Sequence, residues 1–173
     1  MFILTPDEGK EIFADSVGFD SLEEKAQLEK RVWEFYYGAL DLYMSAGKRF
    51  ILSEYPFSDK QRSHLESLAN NYSYKVITIR LVAAFDALWA RRKVRDIEND
   101  RHLSHIMSHY HFGDVLEDRS KADSLITEEG FRDIIEVRQY NEFSLGQLFE
   151  YDVSDFSKVD YTELLEKMRK LYH

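Results

Sequence analysis

The sequence predicts an all-α fold: a single domain, residues 1–173, of about six helices packed around one central apolar helix at roughly 72–92. Three observations carry that expectation. Only 2 prolines and 7 glycines interrupt 173 residues, too few breakers for a many-stranded β fold. Apolar residues recur every three or four positions through much of the chain, the period of a helix with one buried face. The most apolar stretch, Val76 to Ala90, carries charge only at Arg80 and Asp86, as the core helix of a bundle would.

A short helical arm over residues 1–19 opens the chain, and the bundle occupies 20–173. In Thr5-Pro6-Asp7-Glu8 a hydroxyl stands at the N-cap, proline at the first helical position and glutamate at the third, where it can reach back to the cap amide. This helix ends near Val17-Gly18. A second begins at Asp20-Ser21 with Glu23 and Glu24 in its first turn, where the helix dipole favours anions. Its apolar positions Leu28, Val32, Phe35, Tyr36, Ala39, Leu42 and Tyr43 define one face. Ser45-Ala46-Gly47 ends or kinks it, and Pro56 stops whatever continues through Phe50 to Leu52. Ser58 then caps the long pattern through Leu65, Leu68, Tyr72, Val76, Ile79 and Val82 to Phe85 and Trp89. Asp96 to Tyr110 reads as a further helix, broken at Phe112-Gly113 and followed by a polar connection over 114–126. Thr127 caps a helix through Phe131, Ile134, Ile135 and Val137 toward Phe143, with Gly146 near its end. A loop over 152–159 leads to a terminal amphipathic helix from Tyr161 to Leu171. No repeat or interdomain linker is present.

The absence of cysteine excludes disulfides, Cys-ligated zinc, iron–sulfur clusters and thiol catalysis, and fits a reducing, cytoplasmic setting. Neither a signal peptide nor an apolar run of the roughly 20 residues a membrane span needs is readable. The net charge of −9 is uneven. Residues 114–173 hold 15 acidic against 8 basic groups, whereas 91–113 hold 3 against 5. An acidic body repels phosphate, which argues against broad non-specific nucleic-acid binding. The basic run Arg91-Arg92-Lys93-Val94-Arg95 stands out against it as a candidate binding element.

Four of the six histidines lie between His102 and His111. On a helix advancing about 100° per residue, Arg95, Glu98, His102, His105 and His109 fall on one face, beside the apolar Leu103, Ile106, Met107 and Tyr110. Two chemistries can use such a stripe. His102, His105 and His109 could converge on a divalent metal, although no His-Glu-x-x-His and no paired Glu-x-x-His accompanies them. Alternatively, histidine moves a proton on a phosphodiester while arginine stabilises charge on the phosphate. Arg95 and His102, two turns apart, are the candidate catalytic pair, with His105 and His109 beside them. A third reading is plain: the stripe is solvated, and Arg91 to Arg95 is a favourable basic helix end.

The central apolar segment Ile79 to Leu88, followed by Arg95-Asp96-Ile97-Glu98-Asn99-Asp100-Arg101-His102, resembles the HEPN superfamily of helical toxin–antitoxin and phage-defence proteins, with their Arg-x4–6-His motif. The resemblance implies a helical bundle, a homodimer, and metal-independent RNA cleavage by arginine and histidine from two protomers, with no cofactor. A second segment, Tyr140-Asn141-Glu142-Phe143-Ser144-Leu145-Gly146, is similar to another form of the family motif. There Tyr140 and Leu145 stand where arginine and histidine are expected, so Asn141 would remain for binding and the catalytic pair would be gone.

A reading of a different class is a non-catalytic acidic module for a basic protein partner: an antitoxin, an inhibitor or a nucleic-acid mimic. Acidic residues over 114–173 interleave with Tyr140, Phe143, Phe149, Tyr151, Phe156 and Tyr161, and rings with carboxylates suit such a partner. The same pattern equally describes a solvated surface over core aromatics.

Overall fold

Helices alternate with short strands along the chain. The computed structural model describes residues 2–53 and 57–172, and the expected stop at Pro56 lies outside them. In order, the main elements are β1 (Phe2–Leu4), α1 (Pro6–Val17), α2 (Leu22–Ser45), β2 (Phe50–Leu52), α3 (Asp59–Asn71), β3 (Ile77–Val82), α4 (Phe85–Asp96), α5 (Glu128–Arg138), β4 (Gln147–Asp152) and α6 (Thr162–Tyr172). The strands form two parallel pairs, β1 with β2 and β3 with β4. The expected all-α bundle is therefore corrected to a mixed α/β architecture.

The correction falls on the expected central helix at 72–92. α3 ends at Asn71, and Ser73 turns the chain with φ +56°. Ile77–Val82 is then a strand, and the helix holding Trp89 starts only at Phe85. Five of the seven residues from Val76 to Val82 are β-branched, stiff at χ1 and suited to a pleated surface. A short run that is apolar all round also fits a strand in a parallel sheet, because such strands are normally covered on both faces. The spacing from Leu65 to Trp89 spans two helices and a strand, and its helical period is accidental.

Capping chemistry sets the helix starts. The Thr5 hydroxyl accepts from the Asp7 amide, with Pro6 at the first helical position. Ser21 accepts from the Glu24 amide, and the Glu24 carboxylate reaches back to the Asp20 amide at 2.8 Å. Ser58 and Gln61 form a capping box, and Thr127 accepts from Gly130. Each bond satisfies an amide that helix geometry leaves unpaired.

α2 is the long packing element. Its buried residues are Leu28, Val32, Tyr36, Leu40 and Met44, one stripe at helical spacing. Phe35 and Leu42, expected in that stripe, are 60% and 68% exposed. Complete burial of Leu40 and Val32 contributes roughly 1.5–3 kcal/mol each. The N-terminal half of α2 packs with Ala14, Phe19, Leu103, Ile106 and Tyr110. The C-terminal half packs with Leu65, Leu68 and Phe143. α1 approaches α2 at Gly9, where a Cβ would press on Val32.

The expected helix over 96–110 is also corrected. α4 closes at Asp96, and a turn follows before a single 3-10 turn, Leu103–His105. Local side-chain bonds compete with the helix here: His102 caps the Ser104 amide, and Asp123 takes the Ser108 amide and hydroxyl. The loop is pinned to the body by the Phe19–Tyr110 bridge and by Lys25 donating to the Met107 carbonyl.

Gly146 does not end a helix; it leads into β4. Its φ is +69°, and a Cβ there would overlap the Val76 carbonyl, which accepts from the Gln147 amide at 3.0 Å. Gly146→Ala combines a strained backbone with a clash at the first rung of the ladder. It should cost about 2–4 kcal/mol and lower the thermal midpoint by roughly 5–15 °C, read by circular dichroism.

Candidate functional site

The basic end of α4 divides into separate contacts. Arg91 donates from one nitrogen to the carbonyls of Val153 (2.6 Å) and Ser154 (2.8 Å) and lies over the Phe156 ring. It ties α4 to the chain just beyond β4. Lys93 is exposed, with its ammonium 5.7 Å from the Trp89 ring centre. Arg92 lies over Phe131 and turns its Nε to Asp96 Oδ2 at 3.0 Å.

Asp96 is the focus of the cluster. It is 5% exposed, a depth at which a carboxylate survives only with partners. Arg95 donates to Oδ1 from Nε at 3.3 Å and from Nη2 at 3.1 Å. Arg101 approaches the same oxygen at 4.0 Å, and its buried Nε has no hydrogen-bond partner among the described residues. Three guanidiniums thus meet one carboxylate. Arg119 braces the turn from outside, donating to the carbonyls of Asn99 and Arg101 at 3.2 Å. Burial, then repulsion from Arg95, lowers the pKa of Arg101, while Asp96, Asp7 and Glu11 oppose that shift. The carboxylates on α1 hold cations or rings of their own: Asp7 faces Lys10 at 3.1 Å and Glu11 meets His105 at 2.9 Å. The side chain of Arg95 remains 41% exposed, so the cluster presents a solvent-facing guanidinium backed by further positive charge.

The expected histidine stripe is not one face of a helix, because the backbone between Arg95 and His109 turns twice. Each ring has found a different carboxylate. His102 Nε2 lies 3.1 Å from Asp15 Oδ1, and its Nδ1 lies 2.8 Å from Ser104 Oγ. The Tyr110 hydroxyl donates to the same Asp15 oxygen at 2.5 Å. Burial and that carboxylate push the tyrosine up to about 12. His109 is exposed, 3.6 Å from Asp123. His111, beside Asp20 at 2.8 Å, is raised chiefly by that hydrogen bond. Among the described residues no three His, Asp or Glu side chains gather to hold a metal, and His102, His105 and His109 do not form such a group. The carboxylates beside His102, His105 and His111 were not legible from spacing, since Asp15, Glu11 and Asp20 are some 90 residues earlier in the chain.

Asn141 lies elsewhere. It lines a groove of about 280 Å³ together with Leu52, Phe57, residues 78–83 along and just beyond β3, and Phe143. Of the six aromatics expected as an acidic contact surface, Phe143 is buried and only Phe156 is exposed, with Arg91 over one side of its ring. The other four are half-buried. No described helix is long and apolar enough to cross a membrane.

No known family model matches the chain, and no curated protein matches it. Among solved structures it is similar to a protein of Chloroflexus aurantiacus described as a "putative kinase". That match has a TM-score of 0.69 at 21% identity and covers 98% of this chain and 83% of the other. The likeness shows a shared fold.

His105 gives the site a pH signature. Burial first, and then the charge of Arg101, holds its pKa below the ordinary 6.5. Because the folded value is depressed, protonation favours the unfolded chain. Stability is therefore full above pH 6.5 and falls as pH drops toward the folded value. His111 shifts the opposite way, so the difference between chains isolates His105. Urea unfolding from pH 7.5 to 5 should show a smaller acid-side loss for His105→Gln than for the parent chain. Equal losses would contradict this assignment.

Proposed function

We propose that the chain is a phosphate-ester-binding domain of phosphoryl-transfer type, with Arg95 and Arg101 receiving the phosphate oxygens. The observation that carries this reading is the convergence of Arg92, Arg95 and Arg101 on the single buried carboxylate of Asp96. One carboxylate cannot neutralise three guanidiniums, and planar guanidinium forks match phosphate oxygens in pairs. Asp96 acts as the positioning residue that fixes the forks before a ligand arrives, which lowers the ordering cost of binding. The α/β fold, and the kinase description carried by the similar Chloroflexus aurantiacus protein, favour phosphoryl transfer within the wider class of phosphate chemistry.

A second reading keeps the same anion site. In it, Arg95 and His102 cleave RNA without metal, as the HEPN-like motif implies. Its support is that His102 stands beside a carboxylate that can orient its ring. It requires the ring to release Asp15 or Ser104 before a nitrogen can take a proton, and so makes the heavier demand on the structure.

Calorimetric titration with inorganic pyrophosphate, in parallel with a single-stranded RNA dodecamer, separates the two readings. Saturable pyrophosphate binding is expected, weakened about 10-fold in Arg95→Ala, the loss of one charge-assisted contact; exposed Arg132→Ala serves as the unaffected control. RNA cleavage that disappears in His102→Ala would move the assignment to the second reading. No binding of pyrophosphate at millimolar concentration would overturn the first.

A further inference from the structure

We infer that Arg119 is a positioning residue for the anion site: its guanidinium holds the turn that carries Arg101 in the shape in which Arg101 meets Asp96. This role rests on the phosphate-binding reading above, and it falls to a residue outside the basic run.

The turn needs such a hold. α4 ends at Asp96, and regular structure resumes only at Leu103–His105. Among the described residues, the bonds within this stretch are local: the amides of Ile97, Glu98 and Arg101 donate to the carbonyls of Val94, Arg95 and Glu98 at 3.1–3.2 Å. Residues 97–100 are all exposed, so packing restrains them little. A stretch with few buried contacts and only local bonds opens easily. Arg101, however, has to point inward. Its side chain is only 19% exposed, and its Nε is buried 4.0 Å from Asp96, beyond hydrogen-bond distance. A buried guanidinium gains by swinging out to water unless the backbone prevents it.

Arg119 supplies the missing long-range restraint. Its Nη1 donates to the Arg101 carbonyl and its Nη2 to the Asn99 carbonyl, both at 3.2 Å. A planar fork that spans two carbonyls fixes their separation and their direction together. Arg119 is itself anchored. It opens a single 3-10 turn in which Asp118 accepts from the Ser120 amide. On either side of that turn Leu116, Ala122 and Leu125 pack against the core around Ala14, Phe19 and Leu103. Further along, Asp123 takes the Ser108 amide and the Ser124 amide donates to the Ile106 carbonyl at 2.9 Å. The polar connection over 114–126 thus runs back along the basic turn and the histidine-rich loop, and Arg119 ties it to the residues that bear Arg101. Holding Arg101 in place before a ligand arrives lowers the ordering cost of binding.

Calorimetric titration of the full chain with inorganic pyrophosphate tests this role. Arg119→Gln should bind about 5-fold more weakly than the parent, the cost of immobilising one long side chain anew. Arg119→Lys keeps the charge but not the fork, and should show a similar loss. Lys121→Gln removes a charge from the same turn at a side chain 76% exposed; it should stay within about 2-fold of the parent. The readout that a merely structural role would not move is the cycle with Arg101→Ala. In that background Arg119→Gln should change the affinity by no more than about 2-fold, because the residue through which Arg119 acts is gone. A general loosening of the fold would weaken both backgrounds alike. Losses that multiply would make Arg119 an independent contributor and overturn the inference. Parent affinity in Arg119→Lys would reduce its role to charge, and parent affinity in Arg119→Gln would leave it none; either result overturns the inference while the phosphate reading stands. A parent chain that binds no pyrophosphate would overturn both.

Discussion

The parallel pairing of β3 with β4 holds the rest of the structure in place. It joins residues 70 apart in sequence, in register from Ile77 with Gln147 to Val82 with Asp152. Everything between them, α4, the basic turn, the polar connection and α5, is thereby a closed excursion whose ends are fixed side by side. The closure depends on small details. Gly146 allows the backbone to come against Val76, the Thr78 hydroxyl exchanges bonds with the amide and carbonyl of Leu145, and Arg80 binds Glu150 across the pair. Arg91 then uses the carbonyls beyond β4 to fix the direction in which α4 leaves the sheet. The cationic cluster at the far end of α4 inherits its position from that ladder.

The cluster itself illustrates how a buried carboxylate can organise charge. Asp96 closes the last turn of α4, beside the basic residues that the helix dipole favours there. Its burial requires partners, and the excess of guanidiniums beyond what one carboxylate neutralises is the basis of the anion site proposed above. α1 frames the other side. Glu11 engages His105 and Asp15 engages both His102 and Tyr110, so the helix whose start is set by Thr5 and Pro6 also holds the histidine-rich loop against the core. Fold and candidate site thus share residues, and a change at Asp15 or Glu11 should be felt in both.

Much of the local structure was legible in the sequence. Thr5, Ser21, Ser58 and Thr127 each cap a helix where a capping residue precedes a periodic run, because a cap bond is made within three residues. The buried stripe of α2 was legible in part, with Phe35 and Leu42 facing solvent instead. The failures share a cause. Val76 to Val82 is apolar on all sides, and such a run does not distinguish a strand from a core helix; the partner that decides it, β4, is 70 residues away. The segment after Asp96 carries helical spacing but also Asn99, Asp100, Ser104 and Ser108, side chains that compete for backbone bonds. Arg95 is a candidate in the sequence through its spacing from His102 and its place at the end of the basic run. The sequence gives Asp96 only the polar place after Arg95 in the motif and gives Arg101 no role, since the meeting of the two arises from convergence in space.

The fold rests on β3 being a strand bonded to β4 on one edge and, among the described residues, to no strand on the other. Residue-resolved amide exchange of the free chain tests this most directly. The amides of Thr78, Arg80 and Val82, which face β4, should exchange slowly, while those of Ile77, Ile79 and Leu81 exchange fast, an alternation with a period of two. Protection that is uniform through 72–92, as a continuous helix would give, or equally fast exchange at all six amides, would contradict it.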